Sequence, residues 1–185
     1  MNKNSNDAFQ KELVVKLAAE IGAKTALETF NKERLKEENR RSDQRYQNTK
    51  LLLENYRDLK AYSKNAVYSA YHSEDVIKVL DLMWDPHNKI EVTIESIKKS
   101  AVKTQIIMAH INSMLKVYED ISNTSPNPTE IRKYNILIDR YIGDDIITIE
   151  KIADKYSIDV RTAFRDLSEA ITRMGKLLFG IDMMK

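Results

Sequence analysis

The sequence has no cysteine, which excludes a disulfide framework, a cysteine-ligated zinc site and a thiol nucleophile. Glycine and proline are scarce, at 4 and 3 of 185 residues, so long uninterrupted helices are favoured over a turn-rich β architecture. Apolar runs such as Ile106-Ile107-Met108-Ala109 fall far short of the roughly 18 residues a membrane span needs. The opening residues, Met1-Asn2-Lys3-Asn4-Ser5-Asn6-Asp7, lack the apolar core of a signal peptide. The net charge of +2 is too small to mark a nucleic-acid binder on its own. What remains, 42% apolar and 31% charged side chains, suits an all-α protein of one compact domain or two small ones. The expected setting is the cytoplasm, with no membrane partner.

Hydrophobic spacing organises the chain into helices. Phe9, Leu13, Leu17 and Ile21 repeat every four residues and Leu27 and Phe30 extend the stripe, predicting a helix over 7–30. Residues 31–47 are almost devoid of apolar side chains, and seven basic residues in 32–50 face four acidic ones. A mixed run of that kind is a solvated helix face or a tether, with a phosphate-tracking arm as the alternative. A second helix is expected over 48–70, and a short one carrying Val76, Val79, Leu80 and Met83 ends before Pro86. Ile90, Ile94, Ile97, Ala101, Thr104, Met108, Ile111, Leu115 and Tyr118 alternate by fours and threes, a seam that packs on other helices within the chain or across a dimer. Ser122-Asn123-Thr124-Ser125-Pro126-Asn127-Pro128-Thr129 holds two of the three prolines. It is read as a Pro-containing linker, 122–129, between an N-terminal bundle of long helices (1–121) and a C-terminal module (130–185).

That module has the spacing of a helix-turn-helix. A helix over 130–142 is expected to end at a left-handed Gly143. Thr148 can cap a helix over 149–156, with Glu150 in its first turn. Small Ala153 permits a close crossing, the turn begins at Ser157, where glycine is most favoured, and apolar Ile158 plugs the angle between the helices. Asp159 then caps a third helix to about residue 179, anchored by Ala163 and Leu167. With those two inward, the outward face carries Val160, Arg161, Phe164, Arg165 and Ser168, the candidates for reading base edges in a major groove. Phe164 can meet a thymine methyl or turn into the core. Thr148, Lys151, Lys155, Thr162, Arg173 and Lys176 are the candidate phosphate contacts. Asp166 and Glu169, beside the arginines in sequence, are expected to limit nonspecific affinity.

The stretches Tyr134-Asn135-Ile136-Leu137-Ile138-Asp139-Arg140-Tyr141-Ile142, Ile147-Thr148-Ile149-Glu150-Lys151-Ile152-Ala153 and Asp159-Val160-Arg161-Thr162-Ala163-Phe164-Arg165-Asp166-Leu167 resemble region four of bacterial sigma factors. The likeness is strongest to the sigma-like regulators of phages and mobile elements of the ArpU and RinA type. It covers about 129–180 and rests on apolar spacing and a Thr-x-x-Arg pattern. The resemblance implies a helical unit that reads promoter DNA and touches RNA polymerase. A promoter-melting region rich in aromatic and basic residues has no counterpart, since Trp84 is the sole tryptophan; an accessory regulator is therefore expected over a full sigma factor.

No catalytic constellation emerges. Gly22-Ala23-Lys24-Thr25 lacks the upstream glycine of a phosphate loop, and Ser96-Ile97-Lys98-Lys99 has the Ser-x-x-Lys spacing without supporting groups. His72, His87 and His110 show no paired metal-ligand spacing, so neither cofactor nor metal is expected. The sequence therefore predicts a non-enzymatic, DNA-binding transcriptional regulator. It would act on double-stranded DNA as a homodimer, since one recognition helix with few basic neighbours rarely binds tightly alone. Two other readings stand beside it: a packaging protein of the small-terminase type, and a helical adaptor or inhibitor that binds only proteins.

Overall fold

The computed structural model describes residues 3–64 and 101–180, which form six helices and no strand. They are α1 (Lys3–Glu54), α2 (Tyr56–Lys64), α3 (Ala101–Thr124), α4 (Pro128–Leu137, prolonged by a π-helical turn Ile138–Ile142), α5 (Ile149–Tyr156) and α6 (Val160–Phe179). The all-α expectation agrees with this, and no described helix is long and apolar enough to cross a membrane. The expected helix over 74–83, His72, Trp84, His87 and the Ser96 motif lie outside the described residues.

By its contacts the chain divides after Ser42, into Met1–Ser42 and Asp43–Lys185. In the first unit the 31–47 question is answered as far as the unit runs: the backbone stays helical, without a break. Its apolar stripe is solvent-facing, with Leu13, Leu17, Ile21, Leu27 and Phe30 all more than half exposed. Near its end Glu37 accepts hydrogen bonds from Arg40 and Arg41 at 2.7–2.9 Å, and these guanidinium partners hold its carboxyl down at about 2.

The second unit has one continuous core. Leu52, Leu53, Tyr56 and Leu59 from the end of α1 and from α2 meet Ile107, Ile111 and Tyr118 of α3, Ile136 and Leu137 of α4, Ile152 of α5 and Ala163, Ile171 and Met174 of α6. The helix expected over 48–70 shows one irregular turn at Asn55, through which i→i−4 bonds continue from Asn55 N–H to Leu51 at 3.1 Å and from Leu59 N–H to Asn55 at 2.9 Å; its part over 65–70 lies outside the described residues. Residues 122–129, expected to separate two domains, are mostly exposed, but α3 and α4 on either side of them share this one core. The reason is packing: the Tyr118 and Tyr134 rings meet edge to face, 5.3 Å between centroids, across that turn. His110 lies on the flank of α3, its Nε2 3.0 Å from the Leu178 carbonyl oxygen.

Gly143 corrects a second expectation. Its φ of −55° is not left-handed. The π-helical turn before it closes the helix instead: the Gly143 N–H donates to the Ile138 carbonyl at 2.8 Å, and the chain leaves extended. The Gly143 carbonyl accepts from Arg57 of α2.

Candidate nucleic-acid interface

Local chemistry fixes α5 and α6 against each other. Thr148 is the N-cap of α5, its hydroxyl facing the Lys151 N–H. Ile152 and Ala153 are buried on the inner face, and the helix stops at Ser157, which adopts φ 53°, ψ 47°. A serine in the left-handed region is disfavoured relative to glycine, but its N–H and that of Ile158 reach back to carbonyls of Asp154 and Ala153 at 3.1 and 3.0 Å, so the last turn is closed. Half-buried Ile158 packs on the core. Asp159 then caps α6: Oδ1 accepts the Thr162 N–H at 3.0 Å and Oδ2 the Thr162 hydroxyl at 2.7 Å. Those two bonds lower the Asp159 carboxyl below its ordinary value. Ala163 and Leu167 are buried, as the spacing predicts.

The outward face of α6 therefore presents Val160 and Phe164, 39% and 55% exposed, between exposed Arg161 and Arg165. Phe164 does not turn into the core. Arg161 makes no ion pair among the described residues; Arg165 has only loose neighbours, Asp166 at 3.5 Å and Glu169 at 3.9 Å. The Glu169 pair is exposed on both sides and worth little; the Asp166 carboxylate is buried, and at 3.5 Å it holds the exposed guanidinium only loosely. Ser168, two turns on, is half-buried and lines a cleft of about 490 Å³ between α3, α4 and α6, together with Arg173 and Lys176.

The candidate phosphate contacts separate into two groups. Lys151 and Lys176 are exposed, and neither has an ion pair among the described residues; Thr148 is exposed too, but its hydroxyl is taken up by the α5 cap. The others are engaged. Lys155 sits 2.7 Å from Asp139, Arg173 is 2.7 Å from Glu130 with its guanidinium over the Tyr118 ring, and the Thr162 hydroxyl serves the cap.

Asp166 is a correction. Its carboxylate is 1% exposed and faces α4, where Arg132 Nη2 and Nε lie 2.7 and 2.8 Å from one oxygen. It therefore ties α6 to α4 through Oδ2, while its Oδ1 lies 3.5 Å from Arg165 at the edge of the interface. The signal was available in the sequence: Asp166 falls between Ala163 and Ala170, three and four residues away, on the buried stripe of the helix. Arg132 carried no such signal.

No family model, curated protein or solved structure matches this chain. The functional reading rests on the residues themselves.

Proposed function

We propose that the chain is a sequence-specific DNA-binding transcriptional regulator whose α5–α6 pair acts as a helix-turn-helix, with the start of α6 entering the major groove. One observation carries this reading: Phe164 is a large apolar side chain, 55% exposed, flanked on the same face by Arg161 and Arg165. Base edges offer guanine acceptors to the arginines and a thymine methyl to the ring. Lys151, exposed in the first turn of α5, is suited to a phosphate. The resemblance to sigma region four supports a promoter as the target and RNA polymerase as a further partner, in the cytoplasm.

Genome-wide capture of DNA bound in cells tests the proposal, run beside the Arg161→Ala/Arg165→Ala variant. Discrete peaks that vanish in the folded variant are expected. Absence of enrichment at good expression would contradict the reading and favour a purely protein-binding role; a ring of many subunits would favour the packaging alternative.

A further inference from the structure

The first unit carries a helix face that is exposed along its length and holds opposite charges near its middle. Leu13, Leu17, Glu20, Lys24, Leu27 and Asn31 recur by alternating fours and threes, so they form one seam along α1. Leu13, Leu17 and Leu27 are 55%, 57% and 62% exposed. Neither Glu20 nor Lys24 is in an ion pair among the described residues. A seam with charges at its middle is a poor surface for an unspecified apolar groove, but it is a selective surface for itself.

The selectivity follows from position. Glu20 and Lys24 lie two residues on either side of Gly22, and Leu17 and Leu27 lie five residues on either side. A second copy laid antiparallel, with the two-fold axis level with Gly22, sets each Leu17 against a Leu27 and each Glu20 against a Lys24 of the other copy. Leu13 then lies level with Asn31. The parallel arrangement stacks Glu20 on Glu20 and Lys24 on Lys24, which like-charge repulsion opposes. We infer that this seam of α1 is a self-association surface, pairing antiparallel with the same seam of a second copy. The inference is independent of DNA binding by α6.

Charge reversal on the full-length chain tests it. Wild type is expected to sediment as a dimer. Glu20→Lys places four lysines at the centre, and Lys24→Glu four glutamates, so each variant alone should have its dimer dissociation constant raised by roughly tenfold or more, at unchanged helical content. Mixing the two variants restores every opposite pair and should restore association. Because the chain has no cysteine, orientation can be read directly: Leu17→Cys mixed with Leu27→Cys should form a disulfide, while Leu17→Cys alone should not. A monomeric wild-type chain, a dimer indifferent to either reversal, a mixture that stays monomeric, or a Leu17→Cys chain that crosslinks to itself would each overturn the inference.

Discussion

Arg132 of α4 holds the buried carboxylate of Asp166 on α6 by two nitrogens at 2.7 and 2.8 Å. Removing the arginine leaves a nearly inaccessible carboxylate with only the loose Arg165 contact at 3.5 Å. Arg132→Ala should therefore destabilise the fold by about 3 kcal/mol, as expected when one partner of a buried pair is lost. Denaturant unfolding checks this. Arg132→Ala/Asp166→Ala should cost clearly less than the two single changes added together, because the double variant leaves no charge stranded.

Gly175 gives a second prediction. A Cβ built there would lie 2.8 Å from the Thr49 hydroxyl, which is itself fixed by a 2.7 Å hydrogen bond to the Arg45 carbonyl. The β-branched side chain cannot rotate away freely. Gly175→Ala should cost about 1–3 kcal/mol through overpacking, despite alanine's better helix propensity. In a Thr49→Ala background the penalty should shrink; an unchanged penalty in thermal or denaturant unfolding would show that the backbone, not the hydroxyl, sets the limit.

The fold was legible where its determinants are local. The α5–α6 junction can be read from Thr148, Ser157 and Asp159 because caps and turns depend on neighbours in sequence, and Ala163 and Leu167 are inward because helical spacing puts them there. Packing between remote elements was not legible. Nothing in 122–129 announces that Tyr118 and Tyr134 meet across it, and Gly143 looked like an ordinary helix stop because a π-helical turn leaves no compositional trace. The candidate site shows the same split. The exposure of Arg161 and Arg165 followed from periodicity, while Phe164 stayed open between groove and core until its 55% exposure decided it; the engagement of Lys155 by Asp139 and of Arg173 by Glu130 depends on which helices become neighbours.

The Asp159 cap implies an acid dependence with a definite sign. Its carboxyl is lowered in the folded chain by the bonds from Thr162. The cap's stabilisation is therefore fully present above the ordinary value of 3.8 and is lost as pH falls through the lowered folded value. Asp159→Asn keeps an acceptor but cannot titrate. The stability difference between wild type and this variant should be flat near neutrality and shift against wild type below about pH 4; a difference that stays constant to pH 2 would contradict this assignment.

The two groups of cations predict distinct phenotypes. Lys151→Ala should weaken DNA binding evenly across sequences and reduce the salt slope by about 1. Arg173→Ala removes the partner of Glu130 and the cation over Tyr118, so it should lower the unfolding midpoint while leaving the salt slope of DNA binding unchanged. Salt titrations of binding, paired with unfolding curves, separate the two.

The central claim is that the exposed start of α6 reads bases. The most direct measurement is equilibrium binding of the full chain to a duplex recovered from cells, with each base pair of the site varied, for wild type and for Arg161→Ala. A base-reading arginine predicts a loss of about 1–3 kcal/mol together with relaxed preference at one base pair. An Arg161→Ala chain that binds with unchanged affinity and unchanged sequence preference would contradict the account.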